Sequence, residues 1–438
     1  MTSQIFNEIA FGELLMEPVR NGVYKSKEFH GRGCKVVNMG ELFAHSRLFD
    51  VPMKRIELNE REKERALLRK GDLLFARRSL VAEGAGKCSI VKEVNEPTTF
   101  ESSIIRARPD PTKTSSDYLF YYFNSAVGRR TLGTILRQVA VSGITSSDLV
   151  SLRLSVPPLR IQKRVANFFS ALDDKIELNN KMNITLEQIA QALFKSWFID
   201  FDPVKAKAAS LRSERIYGSE ISIFPAEFDE SNLGLKPKGW TVCTIGELVK
   251  AVGGGTPDTK QPRYWKQGKH HWATPKDLST LMSPVLLSTE RTISDEGLRR
   301  ISSGLLPSGS VLMSSRAPIG YLAISEIPVA INQGFIGMLP EEGISNLFIL
   351  LWAKANQQVI LGRANGSTFL EISKSNFRPI QLICPTSTVM KAFDERVRPL
   401  YQRIANNERE TESLIDIRDS LLPKLISGQI QIPSEHYN

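Results

Sequence analysis

The stretch Val165–Trp197, VANFFSALDDKIELNNKMNITLEQIAQALFKSW, decides the fold, because its pattern returns 228 residues later in Phe393–Leu425, FDERVRPLYQRIANNERETESLIDIRDSLLPKL. In the first copy Val165, Phe169, Leu172, Ile176, Asn179, Asn183, Leu186, Ala190, Leu193 and Trp197 recur at alternating intervals of four and three. The matched positions of the second copy are Phe393, Val397, Leu400, Ile404, Asn407, Thr411, Leu414, Arg418, Leu421 and Leu425. That period is a heptad seam, and two gap-free seams in one chain predict a pair of long helices. Lys175, Glu177, Lys181 and Glu187 are expected on a solvated back face. Polar residues at a seam cost stability and commonly set register. Antiparallel pairing about a shared centre would put Asn183 against Asn407 and Asn179 against Thr411. Pro399 is expected to bend the second helix, or to make it start afresh there, because an interior proline lacks the helical donor.

The repeat extends outward from the helices. Val156-Pro157 returns as Cys384-Pro385, Gly12-Glu13-Leu14 as Gly246-Glu247-Leu248, and Gly71-Asp72-Leu73-Leu74 as Gly309-Ser310-Val311-Leu312. Arg108-Pro109 returns as Leu339-Pro340, and Tyr118–Phe123 as Leu347–Trp352. The offset drifts in these parts, as loops of unequal length require. Short apolar runs such as Leu73-Leu74-Phe75 and Ser89-Ile90-Val91 read as strands. Asp117–Phe123 reads as an aromatic helix with Asp117 near its cap. The predicted class is mixed α/β (α+β): two similar domains, 1–158 and 233–385, separated by two long antiparallel helices forming a coiled-coil spacer, 159–205 and 386–428. Residues 206–232 are expected to be a surface linker and 429–438 a tail. Thirty to forty helical residues span about 45–60 Å, more than one DNA turn of about 34 Å.

With 438 residues the chain exceeds one ordinary core. It is 41% hydrophobic and 24% charged with a net charge of +10, a globular composition that favours a polyanionic partner. No two of the four cysteines stand at metal or redox spacing, and no apolar run is long enough to span a bilayer. A cytoplasmic protein with reduced thiols is expected. Catalytic motifs are missing. The run Val81–Cys88 lacks the first glycine and the hydroxyl residue of a phosphate-binding loop, His270-His271 lacks further zinc ligands, and Pro257-Asp258-Thr259-Lys260 lacks a second acidic residue.

Binding residues are easier to find. Gly253–Lys276 interleaves Thr256, Lys260, Arg263, Lys266, Lys269, His270 and Lys276 with Tyr264 and Trp265, which suits phosphate and base-edge contacts. Arg77-Arg78 and Ser315-Arg316 stand at matched positions after a strand, where arginine can bind guanine O6 and N7. Lys87 is a further cationic candidate. Ser142, Ser367 and Thr368 lie in small flexible loops. Asn332-Gln333 suit adenine, whereas their counterparts Glu101-Ser102 would accept from cytosine N4. No catalytic, cofactor or metal residue is assigned.

The chain resembles the DNA specificity subunit of Type I restriction-modification enzymes. The resemblance rests on Phe168–Lys207, FFSALDDKIELNNKMNITLEQIAQALFKSWFIDFDPVKAK, on LKPKGWTVCTIGEL at Leu235–Leu248, on the loop GGGTP, and on LLPKLISG at Leu421–Gly428. It implies two target recognition domains, each reading half of a bipartite double-stranded DNA site. It also implies a helical spacer that includes Leu172, Ile176, Asn179, Asn183, Leu186, Leu193, Leu400, Ile404, Asn407, Leu414 and Leu421. Two methyltransferase subunits would dock on it with S-adenosylmethionine, and restriction (translocase) subunits with ATP and magnesium. The first domain departs from the pattern in having no GGTP-type loop. Two other classes remain to be separated from this reading: a self-contained nuclease or methyltransferase, and a helical scaffold with no DNA role.

Overall fold

The computed structural model describes residues 6–49, 51–79, 84–137, 142–213, 219–366 and 370–432. The chain divides into two compact units, one of residues 1–175 with 413–438 and the other of residues 176–412. Each unit therefore carries one α/β domain together with parts of both long helices.

The same sheet plan is built twice. The first unit has a five-stranded sheet in the spatial order Arg20–Asn21, Ile104–Ala107, Leu73–Ala76, Cys88–Val91 and Arg47–Leu48. The second repeats it with Val249–Gly253, Phe335–Pro340, Val311–Ser314, Leu322–Ser325 and Val285–Leu286. In both, the last pair is parallel and the others antiparallel. A three-stranded sheet accompanies each: Lys54–Ile56, His30–Val37 and Thr98–Phe100 in one, Arg291–Ile293, His270–Ala273 and Val329–Ile331 in the other. A two-stranded ladder joins the beginning of each domain to the strand before its long helix, Asn7–Ala10 with Arg153–Val156 and Thr241–Thr244 with Gln381–Cys384.

Each five-stranded sheet is covered by a helix that is apolar all round and therefore buried. Ser116–Asn124 buries Tyr118 through Phe123, and Asn346–Ala355 buries Leu347 through Ala353. Serine starts both: Ser115 accepts from the Tyr118 amide, and Ser345 accepts from those of Leu347 and Phe348. Asp117 lies near the cap as expected, in the first turn, and pairs with Lys92 at 2.8 Å. The first core is centred on the edge-to-face rings of Phe11, Phe75 and Phe123.

The long helices are Leu159–Phe198 and Ser387–Ile426, each 40 residues. The second runs through Pro399 without a restart, contrary to one sequence expectation. Val397 and Tyr401, buried on either side of the proline, hold both arms against the core. Within each unit the helices run antiparallel. In the first unit Val165 and Phe169 share a core with Leu425, and Arg418 donates to Asp173 at 3.0 Å, which explains how an arginine is tolerated at a seam position. In the second, Asn407 Nδ2 donates to Asn183 Oδ1 at 2.8 Å and Asn179 Nδ2 to Thr411 Oγ1 at 3.3 Å, the pairs that the heptad register predicts. Ile404 is buried at the seam, while Leu172, Ile176, Leu186, Leu193, Leu400, Leu414 and Leu421 are half-buried. Glu187 is not on a solvated face; it forms an ion pair with Lys354.

Replacing Asn407 with alanine should destabilise the second unit by about 1–3 kcal/mol, because the Asn183 carbonyl loses a donor in a buried site. A double change, Asn183→Leu with Asn407→Leu, should be neutral or stabilising while loosening register. Denaturant titration would separate the two outcomes, and an equal loss in both variants would deny the polar pair its register role.

The expected surface linker is more ordered than its composition implies. Residues Asp202–Ser213 form a helix, Phe228–Ser231 and Gly234–Pro237 a hairpin, and Val204 and Phe224 are buried in the core of the second unit. Val204 anchors the helix just before the stretch, and Phe224 anchors the stretch itself. Among the described residues, no helix is long and apolar enough to cross a membrane.

Candidate nucleic-acid interface

One close backbone approach organises the loops at the end of each sheet. In the second unit the Gly255 amide donates to the Ile331 carbonyl at 2.9 Å. A Cβ on Gly254 would stand 1.9 Å from that oxygen and 2.4 Å from the Asn332 carbonyl oxygen, so only glycine fits. The turn holds Thr256 beside Gln333, to which its hydroxyl donates. Asn332 Oδ1 accepts from the Gly334 amide at 2.8 Å.

The first unit makes the same approach with different residues. The Val23 amide donates to Phe100 O at 2.9 Å, and a Cβ on Gly22 would lie 2.2 Å from Phe100 O and 2.3 Å from Glu101 O. Gly22 is therefore the counterpart of Gly254. The first domain does lack a GGTP-type loop, but the close-approach position is kept as a single glycine in Asn21-Gly22-Val23. Glu101, the counterpart of Asn332, accepts from the Met39 amide at 2.7 Å.

The arginine positions are also equivalent. The Arg77 amide donates to Ser103 O at 2.8 Å, and the Ile144 amide to Arg77 O at 3.0 Å. In the second unit the Ser315 amide donates to Gly334 O at 2.8 Å and the Ile372 amide to Ser315 O at 3.0 Å. Arg78 then pairs with Gly143, and Arg316 with Glu371. Arg316 has a carboxylate 3.6 Å away, whereas Arg78 faces a glycine and is exposed. Each unit thus gathers a glycine turn, an acid or amide, and an arginine into one loop cluster.

Much of the basic loop in the second unit is tied down. His270 and Lys269 lie 2.7 and 3.9 Å from Asp295, whose carboxyl is held below its usual range chiefly by the histidine hydrogen bond. Lys276 pairs with Glu290 at 2.8 Å and Arg263 with Glu296 at 3.7 Å. Such exposed pairs contribute about 0–1 kcal/mol, so a phosphate can displace the carboxylate. Lys260 and Lys266 are exposed and make no ion pair among the described residues. Trp265 is half-buried, edge-on to Trp272, with the Arg291 guanidinium 3.7 Å above its ring.

Other candidates lie differently. Lys87 donates to Phe43 O at 2.8 Å and is half-buried, which depresses its pKa. Ser142 is buried in a short ladder against Ser79. Ser367 and Thr368 lie outside the described residues. Sequence reasoning missed Gly22 and Glu371. A lone glycine after a two-residue strand gave the first no distinctive signal, and Glu371 meets Arg316 only through folding. Among the described residues, no group of three His, Cys, Asp or Glu side chains is placed to hold a metal ion.

Both copies match one family model, that of the Type I restriction modification DNA specificity domain, over residues 20–188 and 237–414. The chain belongs to this family. It is a sequence-specific DNA-binding specificity subunit with two recognition domains. The specificity subunit of the HindI Type I restriction enzyme of Haemophilus influenzae is 27% identical over 406 residues, covering 83% of this chain and 87% of the relative. That of the MjaIX enzyme of Methanocaldococcus jannaschii is 34% identical over 180 residues, covering 39% of this chain and 41% of the relative. The solved S subunit of the M. genitalium Type I system shares the fold, with a TM-score of 0.61 at 15% identity and 97% coverage of both chains.

Proposed function

We propose that the two loop clusters each read one half of a bipartite double-stranded DNA target, at the ends of a helical spacer. The observation that carries this reading is the repetition of one backbone turn with different side chains: Gly22 beside Glu101 in one unit, Gly254 beside Asn332 in the other. A kept scaffold with exchanged polar groups suits two different base sequences. Arg78 and Arg316 are the guanine-reading candidates, and Asn332 the adenine-reading one. Thr256, Lys260, Arg263, Lys266, Lys269, His270 and Lys276 are phosphate and groove contacts of the second domain.

The domain division 1–158, 159–205, 233–385 and 386–428 remains the functional one in this reading, with the helices as the part that methyltransferase subunits grip. Those subunits bring S-adenosylmethionine, and restriction subunits bring ATP and magnesium. The specificity subunits among the relatives belong to enzymes of this type.

Arg316→Ala should weaken binding by about 1–3 kcal/mol and relax one position of one half-site, leaving the other half unchanged. Footprinting the chain with its modification partner on a panel of single-base target variants checks this. Equal loss at both halves would make Arg316 a general phosphate contact. Cleavage or methyl transfer by the purified chain alone would favour a self-contained enzyme, and absence of any protected patch would favour a bare helical scaffold.

A further inference from the structure

The first unit holds an open cleft of about 630 Å³, lined by Arg20, Asn21, Gly22, Asn59, Arg61 and Arg65 among others. Its charge is one-sided. Arg20, Arg61 and Arg65 make no ion pair among the described residues. The acid on its wall, Glu62, is already engaged by Lys25 at 2.7 Å, an ion pair that lowers its pKa. Arg61 and Arg65 stand one turn apart on the helix Glu60–Ala66. Like charges at that spacing repel, with Cβ atoms about 5–6 Å apart, so the arrangement calls for an anion between or above them.

The cleft is continuous with the proposed reading cluster, because Gly22 lines it and also abuts Phe100 and Glu101. The second unit is built differently at the same place in its fold. There the helix after Arg291–Ile293 is the short Asp295–Leu298, whose acids pair with His270, Lys269 and Arg263. The first copy carries its arginines on the helix itself, whereas in the second the helix carries acids engaged by neighbouring cations and its arginines, Arg299 and Arg300, follow the helix.

We propose that Arg20, Arg61 and Arg65 form a DNA backbone clamp of the first recognition domain, holding successive phosphodiesters of one strand beside the first half-site. The proposal rests on the DNA-reading function proposed for this domain. Long guanidinium side chains suit phosphate oxygens, and such contacts position the protein without reading sequence.

The test is the salt dependence of target binding by the chain in complex with its modification partner, compared with Arg61→Ala/Arg65→Ala. Each lost phosphate contact should reduce the log–log salt slope by about 0.9, so losing two makes the affinity drop between roughly 50 and 200 mM salt about tenfold smaller. The target sequence preference should not change, and Arg61→Lys/Arg65→Lys should restore most of the slope. An unchanged slope in the alanine variant, with wild-type target preference, would overturn the clamp while leaving the DNA-reading function intact. A changed base preference in the first half would replace the clamp with direct readout. Lack of target binding by the wild-type complex would overturn both readings.

Discussion

Replacing Phe393 with alanine is expected to lower the stability of the second unit by about 3–5 kcal/mol, the usual loss for emptying a buried aromatic site. Its ring is fully buried and lies 4.8 Å from that of Phe198, 5.8 Å from Trp197 and 6.0 Å from Phe194. It therefore joins the end of the first long helix to the start of the second inside one core. Side chains that interlock this closely cannot collapse into the space left behind. The effect can be read selectively. All five tryptophans of the chain, Trp197, Trp240, Trp265, Trp272 and Trp352, fall in the unit of residues 176–412. Their fluorescence transition in denaturant should move to lower concentration in Phe393→Ala. At the matched position of the first helix the residue is Val165, a smaller side chain, so its truncation should cost less. A shift below about 1 kcal/mol for Phe393→Ala would mean that the helix junction is not a packed core.

The second large effect is electrostatic and belongs to the first unit. Asp72 is fully buried and accepts from Arg108 at both carboxylate oxygens, at 2.7 and 2.8 Å, and from the Arg69 amide at 2.8 Å. Arg108 and Arg106 also share Glu17, at 2.6 and 2.8 Å. Asp72→Ala leaves a buried guanidinium short of its main counterion, which should cost about 3–5 kcal/mol. The damage falls at the start of the strand Leu73–Ala76, whose far end carries Arg77 and Arg78, so recognition in the first half-site should fail with it. The repeat supplies its own control. Where the first copy has Asp72 and Arg108, the second has Ser310 and Leu339. The double change Asp72→Ser/Arg108→Leu should recover much of the lost stability, as replacing a buried ion pair by apolar packing often does. Backbone hydrogen exchange across Leu73–Ala76 and Ile104–Ala107 would measure this. Equal exchange rates in Asp72→Ala and the unaltered protein would remove the ion pair from the account.

These expectations also show what could be read from sequence. The seam was legible because heptads are local and the 228-residue offset has no gaps, so Asn183 could be matched with Asn407 before any contact was known. Gly12 and Gly246 were legible as a pair although the offset drifts there, because both stand in a Gly-Glu-Leu motif. Gly22 was not. Its domain keeps one glycine where the other has three in a row, and only the close approach to Phe100 O identifies its role. Charge was legible in sign but not in state. Lys269, His270 and Lys276 looked free, yet the pairing of His270–Ala273 with Arg291–Ile293 brings Asp295 and Glu290 close to them. The helix does not restart at Pro399, because burial of Val397 and Tyr401 outweighs the donor that proline lacks. The linker reading missed Phe224, a single apolar side chain in a polar stretch that is buried in the core of the second unit.

The central claim is that one chain carries two reading heads of different specificity on a shared scaffold. Its most direct measurement is genome-wide adenine methylation in cells that carry this chain with its modification partner, for the unaltered protein and for Gly254→Val. The account predicts a bipartite motif with an indifferent gap, and loss of preference in only one half when the turn beside Asn332 is disrupted. A continuous motif, or loss of preference in both halves together, would contradict it.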